Sequence, residues 1–334
     1  MRSMSLGDLA HSHMLQRRSV SVRKDLSRLT ADLASGKISD LRQVLVGNHS
    51  YLTDIERSLK VLGGHSVANS EASQFLGGMQ RAMDRVQEIT GKLGSDLITA
   101  GNGSVAVISG TPSENAKVQL AGMMGLLNGQ MAGRSMFAGT ATDTAPLATS
   151  QTLLTQLQAV VSGLPDAATM LVAAQAWFDA PGGFDAMIYS GSTTALAPFR
   201  LSDEETISVD VRANDPAFKQ LLMNTAMAAL AQDPATGLAL DQQSEMFMST
   251  GLGLQGAQIQ LTAVRAEIGF AEARIETVNA RNEAEQASLD YARTNLLAAD
   301  PFKTATQLEE VQFQLESLYA ITVRSSQLAL VNFL

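Results

Sequence analysis

Between Leu254 and Leu296 the chain repeats at alternating intervals of three and four residues. The positions are Leu254, Ala257, Leu261, Val264, Ile268, Ala271, Ile275, Val278, Asn282, Glu285, Leu289, Ala292 and Leu296. That alternation is the seam of a coiled coil, a narrow apolar line that another helix must cover. At about 1.5 Å per residue the run makes a helix on the order of 65 Å long. An average globular helix has roughly a dozen residues, so this one needs long partners. Two polar residues, Asn282 and Glu285, interrupt the line; a polar group on a seam costs stability and can fix register or partner.

The partners lie at the other end of the sequence. Leu15, Ser19, Val22, Leu26, Leu29 and Leu33 carry the same alternation. After Ser35-Gly36-Lys37, a break that glycine eases, it resumes at Leu41, Leu45, Asn48, Leu52, Ile55, Leu59 and Leu62. Thr111-Pro112-Ser113-Glu114 reads as an N-cap, a proline at the first helical position and a capping-box glutamate. Asp300-Pro301 opens a last helix that continues through Leu308, Val311, Leu315 and Leu318.

The middle differs in kind. It holds turn clusters at Ala180-Pro181-Gly182-Gly183 and Ser190-Gly191-Ser192, and an alternating strand-like run from Ile207 to Arg212. Asp215-Pro216 then caps a helix bearing Phe218, Leu221, Leu222 and Met227. The expected fold is mainly α: long N- and C-terminal helices packed as a coiled-coil-like bundle, with a small α+β domain inserted. The expected segments are 1–39 (first terminal helix), 40–139 and 246–299 (two halves of a helical core), 140–245 (the insert) and 300–334 (last terminal helix).

Composition narrows the function. The 334 residues are 45% hydrophobic but only 5% aromatic, which suits close-packed helices better than a sheet sandwich. A net charge of -9 argues against nucleic acid or an anionic membrane as the main partner. The charge is uneven: residues 1–60 hold ten Lys/Arg against six Asp/Glu, and no basic residue lies between Arg134 and Arg200. There is no cysteine, hence no disulfide or thiolate metal site. No signal peptide is visible at the start, and the most apolar stretch, Leu157 to Phe178, is interrupted by Pro165-Asp166, so no membrane insertion is expected.

No catalytic constellation emerges, and the chain is expected not to be an enzyme and to hold no cofactor. Gly251-Leu252-Gly253-Leu254-Gln255-Gly256 spells a dinucleotide fingerprint, but a heptad helix follows it where a βαβ unit is required; a flexible helix entry is the simpler reading. His11 and His13 point to different helix faces, and His49 and His65 have no acidic partner at ligand spacing, so no metal is expected. Arg17, Arg18, Arg23, Lys24 and Arg28 read as the solvated face of a helix. The last residues, Leu328-Ala329-Leu330-Val331-Asn332-Phe333-Leu334, carry no charged side chain, and a free chain must cover or expose them. A coiled-coil adaptor or signalling protein would account for the heptads alone.

The segment Gln312 to Thr322, continuing through Ser326-Gln327-Leu328-Ala329-Leu330-Val331-Asn332-Phe333-Leu334, resembles the C-terminal helix of bacterial flagellins. Ser35-Gly36-Lys37 sits where that family has its Ser-Gly break, although Ile38-Ser39-Asp40-Leu41 replaces the Asn and Asp-Asp that usually follow. Met136-Phe137-Ala138-Gly139, with Pro146 beyond, is similar to a turn of the family's relatives at the hook-filament junction.

The resemblance implies a structural subunit of the flagellum that joins hook to filament, with a filament subunit as the alternative. It implies export without a cleaved signal through the flagellar type III channel, and terminal helices that become ordered on incorporation. It also implies four kinds of partner: further copies of the chain, the first hook-associated protein, flagellin and a cytoplasmic export chaperone. The assembly surface is then expected at Leu15, Val22, Leu26, Leu29, Leu33, Leu308, Val311, Leu315, Leu318, Leu328, Leu330, Val331, Phe333 and Leu334. Phe137 and Gly139 would form the turn at the domain boundary.

Overall fold

The computed structural model describes residues 6–40, 49–103 and 111–331. The expected seam positions Leu41, Leu45 and Asn48, and the tail residues Phe333 and Leu334, lie outside them. The chain is mainly α-helical and divides into two compact units. One holds the residues up to Val61 and from Glu283 onward, the other Leu62–Asn282.

In the terminal unit, helix α1 (Leu6–Ser35) packs along the last helix, α9 (Pro301–Val331). Cap chemistry sets the start of α9: the Asp300 carboxylate accepts from the backbone N–H groups of Phe302 and Lys303 at 3.0 and 3.1 Å. These are two of the donors that a helix start leaves without partners.

The larger unit is organised by two long antiparallel helices, α2 (His49–Asn102) and α8 (Leu240–Leu297), each of which runs on past its boundary. From Leu254 to Asn282 nearly every seam position of α8 is buried. Ala72, Leu76, Met79, Met83, Val86, Leu93 and Leu97 form the matching line on α2. Polar pairs cross this contact at regular intervals: Gln80 Nε2 to the Arg265 carbonyl at 2.7 Å, and Gln258 Nε2 to Thr90 Oγ1.

The glycines at 251–256 lie inside α8, not at a flexible entry to it. A Cβ at Gly251 would stand 2.7 Å from Ile98 Cγ1 and 2.8 Å from the Gly94 carbonyl. The cost of glycine in a helix interior is accepted here because two helix backbones approach. The dinucleotide reading has no structural basis.

Around this pair sit α3 (Thr111–Leu127), α4 (Ser150–Val161), α5 (Ala167–Asp179), the single turn α6 (Phe184–Met187) and α7 (Pro216–Leu230). Helix α7 is buried on all sides from Ala217 onward except at Lys219 and Gln220, so it forms the centre of this bundle. Asp215 caps it, accepting from Ala217 N–H at 3.0 Å. At the start of α3, Ser113 turns inward and donates to the Ala228 carbonyl at 2.8 Å, while Glu114 pairs with Lys117 rather than closing a capping box. The apolar stretch from Leu157 to Phe178 is broken by Gly163 at φ +80° and by the Asp166 cap, which accepts from Thr169 N–H at 2.7 Å. Among the described residues no helix is long and apolar enough to cross a membrane.

Among the described residues, extended ladders are confined to two short antiparallel pairs. In the first, β1 (Gln130–Met131) meets β2 (Arg134–Ser135) across Ala132 and Gly133, both at positive φ as a primed hairpin turn demands. The second joins β3 (Phe199–Arg200) to β4 (Thr206–Ile207). The strand expected over Ile207–Arg212 is therefore only begun. Val209 and Val211 do bury their side chains as the alternation requires, but no neighbouring strand extends the ladder to them.

The tip of the second hairpin lies over α2 and α8. Asn69 Nδ2 donates to the Leu201 carbonyl at 3.1 Å and to Asn279 Oδ1 at 2.8 Å, and Asn282 Nδ2 reaches the same carbonyl at 3.4 Å. That is the use of the polar residue on the α8 seam: it anchors a hairpin. Glu285 does not share this role, being exposed, and the partly buried line steps instead to Gln286 and Leu289. Arg274 and Arg281 both grip Glu205 in the same hairpin. Partial desolvation of that carboxyl is outweighed by the Arg281 and Arg274 guanidiniums, which hold it below the usual carboxylate range.

Candidate assembly interface

Of the expected assembly residues, Leu15, Val22, Leu26 and Leu29 on α1 and Leu308, Val311, Leu315 and Leu318 on α9 fall on the two faces that meet in the terminal unit. Val22 and Leu29 are buried, and Leu15 and Leu26 are half-buried. On α9 Leu318 is buried, with Leu308, Val311 and Leu315 half-buried beside it. Leu33, in the last turn of α1, is 39% exposed. Leu328, Leu330 and Val331 belong to α9 by backbone, while Phe333 and Leu334 lie outside the described residues. The two terminal seams thus have a partner inside one chain. This is the pairing of first and last helices that their matching heptads call for.

The contact carries a polar clasp on its outer edge. Arg23 Nη2 donates to Tyr319 Oη at 2.8 Å, and its guanidinium lies 5.7 Å from the Tyr319 ring centroid. Such an exposed cation–π contact is worth about 0.5–1 kcal/mol. Of the other basic residues of α1, Arg17, Arg18 and Lys24 are solvent-exposed, and Arg28 bridges to Asp25 at 3.4 Å and Asp32 at 3.7 Å.

The break after α1 is tied to the break before α9. Gly36 turns the chain at φ +67°, and its carbonyl accepts from Ala299 N–H at 2.9 Å. Ile38 N–H donates to the Leu297 carbonyl at 2.9 Å, and Lys37 and Ala298 face each other across an antiparallel bridge. Asp32 braces the turn from inside: 3% exposed, it accepts from Ser39 N–H at 2.8 Å and from the Ser39 hydroxyl. Replacing Asp32 by Ala strips both donors of their acceptor, which costs about 1–3 kcal/mol. The expected result is amide exchange at Ile38, Ser39 and Ala299 faster by about an order of magnitude, with the protection of α7 unchanged. Unaltered exchange at those three amides would show that Asp32 does not hold the turn.

In the larger unit, Phe137 and Gly139 occupy a turn that links three segments. Phe137 is fully buried and meets Phe218 of α7 edge-on, with ring centroids 5.6 Å apart. Its carbonyl accepts from Ala213 N–H at 2.9 Å, the Ala138 carbonyl from Ser192 N–H at 2.9 Å, and Thr140 N–H donates to the Thr194 carbonyl at 3.1 Å. Gly139 sits at φ +61°, and a Cβ there would lie 2.4 Å from the Thr194 carbonyl oxygen. Both the left-handed backbone and the neighbouring carbonyl demand glycine.

Among the described residues no group of three or more His, Cys, Asp or Glu side chains is placed to hold a metal ion. His11 and His13 are exposed. His65 does have an acidic neighbour, contrary to the reading of its local sequence: the Asp203 carboxylate lies 3.4 Å from its Nε2. The partner comes from the β3–β4 hairpin, too far along the chain for local spacing to reveal.

The C-terminal portion matches a protein family. Residues 253–334, comprising most of α8 and all of α9, match the bacterial flagellin C-terminal helical region. No curated protein matches the chain. One similar solved structure is that of a Vibrio parahaemolyticus protein designated a candidate flagellar hook-associated protein. Its identity is 14% and its TM-score 0.48, over 75% of this chain and 99% of that one.

Proposed function

We propose that this chain, whose C-terminal helices are those of the bacterial flagellin family, is a structural subunit of the flagellum that joins hook to filament. The observation that carries the reading is the terminal unit itself: a flagellin-type last helix whose seam is covered by the first helix of the same chain. A clasped pair of long helices is a rigid rod that can be stacked beside copies of itself, and its work is mechanical rather than chemical. The Phe137–Gly139 turn, which resembles that of the junction relatives, favours the junction over the filament. The partners that follow are further copies, the first hook-associated protein on one side and flagellin on the other. Export proceeds through the flagellar type III channel without a cleaved signal, with a cytoplasmic chaperone covering the last residues. The resulting location is extracellular.

Labelling the protein on intact flagella tests the proposal. A label confined to the boundary between hook and filament is the expected result. A label running along the filament would make the chain a filament subunit, which the flagellin-type match of residues 253–334 also accommodates. Absence from flagella would return it to the non-flagellar coiled-coil adaptors.

A further inference from the structure

The seam that α8 turns towards α2 is not its only regular line. A second series, Leu252, Gly256, Ile259, Ala263, Ala266, Phe270 and Ala273, repeats at alternating intervals of four and three. Each member stands two positions from a buried seam residue. Two positions are about 200° of helical rotation, which puts the series on the side of α8 away from α2. All seven residues are exposed, Leu252 by 54%, Ile259 by 76% and Phe270 by 78%. From Met246 to Val264 the helix carries no charged side chain on either face, whereas the outer face of a surface helix is ordinarily charged or polar. Glycine weakens a helix interior, and at Gly256 an added Cβ would meet nothing within 4 Å, unlike one at Gly251 or Gly253. Nothing inside the chain therefore calls for glycine at that position.

The series is complementary to itself. Laid antiparallel on a second copy about Ala263, it sets large on small throughout: Ile259 lies across from Ala266, Phe270 from Gly256, Leu252 from Ala273, and Ala263 from its own counterpart. Charge agrees with size, since Glu267 beside the series falls between Gln258 and Gln260 of the other copy, and Arg274 falls at Leu252. A parallel in-register pair would instead set Phe270 on Phe270, leave a gap at Gly256 and bring Glu267 up to Glu267. The strip from Leu252 to Ala273 is about 32 Å long. Two such strips bury on the order of 1,000 Å², the lower end of the range for specific pairs.

We infer that the outer face of α8 between Leu252 and Ala273 docks on the same face of a second copy, antiparallel, across a two-fold axis at Ala263. The contact is isologous, so it closes at two copies and cannot propagate. An array in which all copies point one way has no place for it, and a pair held by α8 must separate before its members can enter one. The inference goes beyond the flagellar reading and does not depend on it.

The chain has no cysteine, so single cysteines in the full-length protein report the geometry. Ala263→Cys is expected to give a disulfide-linked dimer under dissolved oxygen, because the two-fold axis brings the two Cβ atoms within bridging reach. Phe270→Cys alone should stay unlinked, its counterpart lying about 20 Å away along the helix. An equimolar mixture of Gly256→Cys and Phe270→Cys should link. In sedimentation the parent is expected to shift from monomer to dimer between about 1 μM and 1 mM. Ile259→Glu should weaken that association at least about tenfold. Its circular dichroism and melting should match the parent's, because the site is exposed. A parent that stays monomeric throughout, an Ile259→Glu variant that associates like the parent, or Phe270→Cys linking to itself as readily as Ala263→Cys would each overturn the inference.

Discussion

Replacing Leu315 and Leu318 together by Asp is expected to detach α9 from α1 while leaving the larger unit folded. Leu318 is 7% exposed and Leu315 lies half-buried one turn away on the same face. Two carboxylates placed there would have to ionise against Val22, Leu26 and Leu29 or leave the contact, at a cost of several kcal/mol. The terminal helices have little else to hold them: the Arg23–Tyr319 clasp, the Asp32 turn and the pairing of the two breaks together supply only a few kcal/mol. Limited proteolysis should therefore cut within residues 1–35 and 301–334 in the variant, and the melting of residues 62–282 should stay where it was. In cells, the proposed function adds a secreted protein that fails to hold filament on hook, with flagellin shed into the medium. Protease resistance equal to the parent's would show that this seam does not hold the terminal helices together.

The opposite pattern is expected for Phe137→Ala, which strikes the larger unit and spares the terminal one. Truncating a fully buried phenylalanine removes its transfer free energy and leaves a cavity, together about 3–5 kcal/mol. Here the ring is wedged edge-on against Phe218 at the start of α7, and the adjoining backbone ties residues 137–140 to 192–194 and 213. The cavity thus opens where three chain segments are joined, a place with little freedom to collapse. Thermal melting should show the transition of the larger unit lowered by several degrees or more. Phe137→Leu, which keeps most of the volume, should recover over half of that loss. A melting temperature within a degree of the parent's would mean that the turn contributes little to the core.

What the sequence disclosed, and what it concealed, follow from the range of the forces involved. The α8 seam and the caps at Asp300 and Asp215 were legible because each depends on residues within a turn or two. The buried line of α2 beyond Leu62 is hidden in the sequence, although Ala72 through Leu97 keeps the same alternation. Glycines at 63, 64, 77, 78, 91 and 94 are scattered through it and look like breaks, whereas at Gly94 the small residue permits the approach of α8. The unextended strand at Ile207 failed for a different reason, since alternation reports burial of one face and says nothing about whether a neighbouring strand is present. Asn282 was visible as a polar anomaly on the seam, but its explanation, the Leu201 carbonyl, comes from a remote hairpin. For the interface, the positions on α1 and α9 could be read directly. That the first and last helices cover each other follows from their matching heptads; that Gly36 to Ser39 and Leu297 to Ala299 are tied together could not be read, because no local pattern records which breaks will meet.

The clasp between Arg23 and Tyr319 joins residues 296 positions apart. Chains lengthen at about 5–20 residues per second during synthesis, so α1 emerges roughly 15–60 s before the residues that cover it exist. Throughout that interval its seam has no native partner, and closing so large a loop is slow afterwards as well. Time therefore leaves the leading seam of this chain without its native cover until synthesis is nearly complete.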